Sequence, residues 1–375
     1  MMISISRRVV AAAITLLVLL IIWYRRDARY RLGSALDNIA ADWTDRSPGS
    51  GRLPFYPGTV KPPGSNYSKI LVIPKLKSEH IGWIEKELPG LNTAVYEVDN
   101  PSASLRVPKN KGHEAMVYLT YIIDHYDHLP DTVVFAHAHR KAWHNNFLLD
   151  LDTAITIKRL RDERVARQGY MNLRCHLDPG CPNWIHVDRA KVDFDDFRKP
   201  EEQRFSPELF QSMFPGHRPP PVLSQPCCAQ FAVSSERIRD NSKKLYEHLR
   251  NWLLDTHLED KDSGRIFEYM WQYLFTRNAE HCPAMNSCYC DGYGICFGSA
   301  AKLDEWLKKL KVREAVDAEL DEAHKQRKDK SAIDEISQRQ WTLNQELRAE
   351  KDEAYRRGDD EKNRAMERER TWTDQ

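Results

Sequence analysis

The sequence predicts an α/β domain built on a mainly parallel sheet flanked by helices, set between an N-terminal membrane anchor and a charged helical tail. Three observations carry this. Between residues 69 and 136, short continuous apolar runs alternate with stretches of helical periodicity, the pattern of strands covered on both faces and joined by crossover helices. Val9 to Tyr24 forms an uncharged run of 16 residues near the start of the chain. Beyond residue 300 the composition turns to Glu, Lys, Arg, Asp and Ala, with apolar residues too sparse for a sustained heptad seam.

Taken in order, residues 1–8 read as a short cytosolic tail. VVAAAITLLVLLIIWY at 9–24 would reach about 24 Å as a helix, enough for a single-pass anchor with flanking Arg and Tyr at the interfaces. No small-x-small cleavage signal follows it. Residues 25–66 contain SPGSGRLPFYPGTVKPPGSN and read as a stem. The arginines after the anchor favour a cytosolic body, but the cysteines point the other way. All eight (175, 181, 227, 228, 282, 288, 290 and 296) follow the anchor, and their spacing lacks the paired C-x2-C knuckles of structural zinc sites. Disulfides in an oxidising lumen are expected, with glycosylation at Asn66 in Asn-Tyr-Ser, hence a type II protein of the Golgi or endoplasmic reticulum. Adjacent Cys227 and Cys228 are expected to join two different bridges. A formal net charge of +1 gives no general pull toward nucleic acid.

The α/β body is expected over 67–300. Ile70–Pro74 is the first strand; SEHIGWIEKEL follows as a helix with Ser78 at its N-cap. Thr93–Val98 is the second strand, ending in Asp-Asn-Pro-Ser. A helix over Gly112–Tyr126 leads to a third strand, Asp131–Ala136. A turn-rich stretch occupies about 165–225. A short strand at 228–233, a helix over Ser235–Leu254 and an aromatic helix over Ile266–Phe275 complete the body. The tail, 301–375, reads as a solvated or fraying helix, with a protein-docking arm as the alternative.

Ligands of open parallel sheets bind at the carboxyl ends of strands. Three polar groups fall there: Lys75–Glu79, Asp99–Ser102 and the cluster His137, His139, His144 in AHAHRKAWHNN. Their convergence on one edge is the main functional expectation. Protonated His137 and His139 with Arg140 would neutralise an anion, imidazoles would suit zinc, iron, nickel or copper, and the bland alternative is hydrogen bonding within the loop. Glu268, on an aromatic helix, reads as a general base with a raised pKa or as an Arg265 partner. Glu114 reads as a capping partner or a site acid, and Gln230 as a lining residue or simply part of a buried strand.

The blocks KNKGHEAMVYLTYIIDHYDHLPDTVVFAHAHRKAWHNN, GYMNLRCHLDPGCPNW, CCAQFAVSSERIR and SGRIFEYMWQYLF resemble the fungal family catalogued as domain of unknown function 3431. The layout in turn is similar to glycosyltransferases of the A-type nucleotide-sugar fold. That resemblance implies a donor held by Asp99 and by the Asn110-Lys111-Gly112 loop, phosphates at His137 and His139, and an acceptor near Gln230 with Glu268 as its base. It also implies a divalent metal, but His137-Ala138-His139 stands where those enzymes carry two carboxylates. The partners implied are a nucleotide-sugar donor and a glycan or other secretory acceptor. Two other classes stay open: a metal-dependent hydrolase or oxidase using the three histidines, and a non-catalytic lumenal scaffold.

Overall fold

Five strands form one mixed sheet: β1 (Lys69–Lys75), β2 (Asn92–Glu97), β3 (Thr132–Phe135), β4 (Tyr170–Asn172) and β5 (Phe231–Ser234), in the order β2-β1-β3-β5-β4. β1 pairs in parallel with β2 and β3, and β5 runs antiparallel to β3 and β4. Four of the five strands therefore point the same way, and the sheet is mainly parallel as expected. The computed structural model describes residues 57–177, 181–182, 185–189 and 205–373. The expected anchor and nearly all of the stem lie outside the described residues. Among those described, no helix is long and apolar enough to cross a membrane.

The apolar runs have a simple origin. Successive strand side chains point to opposite faces, and both faces are covered. Val72, Val133, Phe135, Phe231 and Val233 enter one core, whereas Leu71, Ile73, Val134 and Ala232 enter the other. On the first face lie α2 (Ala115–His125), α5 (Pro207–Met213), α7 (Lys243–Asp255), α8 (Asp260–Glu268) and α9 (Trp271–Thr276). On the second lie α1 (Gly82–Glu87), α3 (Thr153–Arg159), α4 (Asp162–Gln168), α10 (Met285–Tyr293), and two long helices described below. Trp271 is fully buried in the first core, its ring 5.2 Å from Phe231 and 5.4 Å from Phe267. Burying each such side chain contributes about 1.5–3 kcal/mol.

Several boundaries differ from expectation. Ser78 makes no cap: α1 starts four residues later, after Ile81, with no side-chain capping bond. The expected helix 235–254 is two, α6 (Ser235–Arg239) and α7, because Asn241 between them donates from its side chain to Leu274 O and to the Tyr246 hydroxyl. The aromatic helix likewise breaks between α8 and α9. β4 and α4, inside the stretch that reads as irregular, are too short to show a period.

The tail corrects the sequence reading most. It forms α11 (Ala300–Lys325), α12 (Lys330–Asp359) and α13 (Glu361–Thr373), the first two as a hairpin. Its few apolar residues suffice: Leu303, Trp306, Leu310, Leu347 and Ala354 close the second core, and Trp306 Nε1 donates to Leu347 O at 3.0 Å. The hairpin also grips the loop after the histidine cluster, through Lys351 to Asp150 (2.6 Å) and the Tyr355 hydroxyl to Leu148 O (2.5 Å). A solvated or fraying helix is thus the wrong description.

All eight cysteines are paired: Cys175–Cys288, Cys181–Cys282, Cys227–Cys228 and Cys290–Cys296. The first two close loops of 113 and 101 residues, each stabilising by about 4–5 kcal/mol in a chain-entropy account. The expectation that Cys227 and Cys228 join different partners is overturned; they bridge each other, in a turn where Cys228 and Ala229 have positive φ. Where α12 ends, Gly358 crosses Gly294 so closely that a Cβ on it would lie 1.9 Å from the Gly294 carbonyl oxygen. Gly358→Ala must push the tail off the body, so it is expected to lower the urea unfolding free energy by about 1–3 kcal/mol. An unchanged midpoint would show that the tail is not held at this crossing.

Candidate functional site

Past the ends of β1, β2 and β3 the backbone opens into a cleft of about 350 Å³. Its walls are Pro74 and Lys75 at the end of β1, Leu76 and Glu79 after it, Val98 after β2, His137, Ala138 and His139 after β3, Asn110, His113 and Glu114 before α2, and Asp260 at the start of α8. Residues of two of the three strand-end groups, Lys75–Glu79 and the histidine segment, line this cleft; Asp99–Ser102 does not, and only the preceding Val98 does.

The position of each wall follows from local bonding. Lys75 is buried and paired with Glu97 at 2.7 Å, a bond between adjacent parallel strands that leaves the ammonium at the cleft floor. Asp99 accepts from the Lys77 N–H at 2.8 Å and ties the β2 turn to the β1 turn. Asp99 is exposed beside the cleft and does not line it. Glu79 accepts from the Leu76 N–H at 2.6 Å and stands 3.4 Å from His139 Nδ1. The Gly112 N–H donates to Asp260 at 2.7 Å, which brings α8 to the start of α2. Gly112 has φ +70, and a Cβ there would lie 2.6 Å from Leu253 Cδ1, so this glycine serves close packing. Asn110 faces the cleft as expected of the loop.

His137 is held by its own backbone: its N–H donates to Gln230 Oε1 at 3.1 Å, while Gln230 Nε2 donates to Asn145 Oδ1 at 3.0 Å. Gln230, nominated as a lining residue, is buried and acts as the clamp between β5 and the histidine segment. The His137 ring lies 3.9 Å by Nε2 from Glu114 Oε2 and 5.4 Å between centroids from the His144 ring. The Nε2 atoms of His137 and His144 are buried and make no hydrogen bond in the described structure. His139 is 61% exposed at the rim.

The other nominations are placed elsewhere. The Arg140 guanidinium is held by Asp152 at 2.8 Å and Glu87 at 3.0 Å, so it braces α1 and α3 against the loop. Glu268 is buried, pairs with Arg265, and accepts from the Cys228 N–H at 2.6 Å. It holds the vicinal bridge and is absent from the cleft wall. Asn66 is exposed.

A metal is the group that the resemblance implies, and an ion needs several donors around one point. Among the described residues, sets of three His, Cys or carboxylate donors within 4.8 Å occur at Cys227–Cys228–Glu268 and at Cys290–Cys296–Glu367. The cysteines of both are in disulfides. His137, His139 and His144 form no such set, and His139 turns to Glu79 while His137 neighbours Glu114. The imidazoles do not fit one shared ion.

Glu114 is the residue that sequence reasoning left undecided. It precedes α2 without capping it. Burial, and then the charge of Glu268, raise its pKa to about 8 against the pull of Arg265. Burial, with the neighbouring His144, His139 and His113 rings, lowers the pKa of His137 to about 3. Burial and then Arg174 lower that of His144 to about 4. At neutral pH the pair is a protonated carboxyl beside a neutral imidazole. Lys75, Glu79, His113 and Asp260 also enter the wall. Asp260 could not be found from sequence, because it joins Gly112 across 148 residues.

The linkage has a definite sign. For Glu114, the unfolded chain ionises near 4.5 and the folded one near 8, so this group's contribution falls as pH rises through that window. For His137, protonation is easier when unfolded, so its contribution falls as pH drops from 6.5 toward 3. The two oppose each other between pH 4.5 and 6.5 and leave a net loss above it. Glu114→Gln, which keeps shape and removes ionisation, is expected to raise the melting temperature at pH 9 and to change it little at pH 5. Equal effects at both values would contradict a buried carboxyl.

No curated protein and no solved structure matches this chain. The profile of one family, described as protein of unknown function (DUF3431), spans residues 71–291, which takes in all five strands, the cleft and the cysteines up to Cys290. The chain belongs to the DUF3431 family of proteins of unknown function.

Proposed function

We propose that this protein is a glycosyltransferase-like enzyme, moving a sugar from an activated nucleotide donor to a glycan or other secretory acceptor. The observation that carries the reading is the juxtaposition of Glu114 and His137, 3.9 Å apart, in a cleft at the ends of three parallel strands. The donor lies over β1 to β3, near Asp99 and Asn110, with Lys75 and His139 offering positive charge and donors to its diphosphate.

In the transfer step the acceptor oxygen bonds to the anomeric carbon as the bond from that carbon to the phosphate oxygen breaks. The breaking bond's electron pair leaves on the diphosphate. The acceptor's proton passes to His137 Nε2, and the Glu114 proton passes to the leaving diphosphate. The two residues end as an imidazolium–carboxylate pair at the spacing already present. Glu268, occupied with Arg265 and Cys228, is no longer the base in this scheme. No step is routed through a metal. A hydrolase or oxidase using the three histidines would need them around one ion, which their arrangement does not offer.

The four disulfides and the exposed Asn66 support an oxidising lumen and glycosylation there. Membrane anchorage by residues 9–24 completes the proposal as a type II protein of the Golgi or endoplasmic reticulum. A non-catalytic scaffold gains nothing specific from the tail, which is spent on the body's own second core.

Saturation-transfer NMR with UDP-, GDP- and ADP-sugars is the direct test. At least one is expected to bind, and with the acceptor found, Glu114→Gln and His137→Gln are each expected to lower turnover by about 10²–10⁴-fold. No binding by a demonstrably folded chain overturns the reading.

A further inference from the structure

Trp143 is the most exposed of the large apolar side chains among the described residues, at 66%. A tryptophan so placed leaves a broad apolar face in water. This one is also held in place. The His144 ring meets it edge-on at 5.5 Å and 87°. The Arg174 guanidinium lies 5.8 Å from its ring.

Arg174 is itself buried and fixed, donating from Nε to His176 O at 2.8 Å and from a terminal nitrogen to Cys227 Sγ at 3.1 Å. The loop beneath is equally constrained. The Asn145 N–H donates to Ala142 O at 3.0 Å, and its side chain reaches Leu151 O and Thr153 Oγ1. A ring presented this firmly loses little conformational freedom on binding, which is why rigid aromatic side chains dominate recognition surfaces.

Its position gives the ligand class. His144 touches Trp143 on one side and the His137 ring, 5.4 Å away, on the other. The exposed indole is thus two ring contacts from the proton-transfer pair, outside the donor cleft. We infer that Trp143 is the acceptor platform of the transfer site: a pyranose ring of a neutral glycan lies with its C–H face on the indole, and Lys141 and Arg174 donate to its hydroxyls. An indole face is apolar and electron-rich and suits polarised C–H groups. The flanking cations disfavour a basic peptide. This inference rests on the transferase reading for the ligand's role and on the platform itself for its chemistry.

The test uses the full chain with maltotriose, mannotriose and cellotriose as probes, followed by saturation-transfer NMR and tryptophan fluorescence. At least one is expected to bind. Trp143→Ala is expected to weaken it by ten-fold or more, and Trp143→Phe by no more than about three-fold, because an aromatic face remains. Nucleotide-sugar binding is expected to stay within two-fold in both variants. Oligosaccharide binding that survives Trp143→Ala unchanged, or nucleotide-sugar binding with no oligosaccharide binding, overturns the platform and leaves the transferase reading standing. Trp143-dependent oligosaccharide binding with no nucleotide-sugar binding supports the platform and removes the transferase. If Trp143→Ala unfolds, Trp143→Gln decides between the same outcomes, since it also lacks a ring.

Discussion

The constraint on which the site depends is the end of β3. This strand is four residues long and buried on both faces, so nothing on it can meet a ligand. His137 follows two positions later, level with the last residues of β1 and just beyond the point where β5 begins at Phe231. Its N–H no longer has β5 to bond. Gln230, the residue just before the adjacent strand β5, takes that N–H and carries the constraint on to Asn145. The imidazole is thereby fixed against Glu114 rather than free to turn. An unsatisfied backbone group at a buried strand end costs about 1–3 kcal/mol, so the clamp and the site are the same piece of structure.

Around that point the molecule spends stability on order. Two imidazole nitrogens are left buried without hydrogen bonds, and a carboxyl is held protonated. The disulfides and the hairpin offset this from outside. The hairpin reaches Leu148 and Asp150, the segment just after the histidines, while Arg140 braces the same segment against Glu87 and Asp152. The Cys227–Cys228 bridge, held by Glu268 and contacted by Arg174, occupies the remaining side. Arg140, Gln230 and Glu268, which looked chemical in the sequence, serve as supports around the cleft.

What was legible follows from how strong each local signal is. β1, β2 and β3 could be read because burial on both faces forces apolar runs. β4 could not, because three residues carry no period. The cleft's location was legible from topology, and His137 and His139 were found that way, whereas Asn110 came from the family resemblance. Arg140 was misplaced because charge does not reveal a partner brought by tertiary packing; Asp152 lies 12 residues from Arg140. For Glu268 the alternative of an Arg265 partner holds, because that pair is local. The vicinal bridge was missed because the turn at Cys228 and Ala229, both with positive φ, leaves no mark in cysteine spacing. The tail misled because apolar residues spaced for one face of contact look like a solvated helix when counted without their partner.

The central claim is that His137 is a neutral imidazole, its Nε2 buried and facing a protonated Glu114. Long-range ¹⁵N–¹H NMR of histidine-labelled protein, with His137→Gln to assign the resonance, reads this ring's protonation state and tautomer directly. The account predicts a neutral ring at pH 5, charging only toward pH 3. Titration near the ordinary imidazole value of 6.5, as for a solvated side chain, would contradict it.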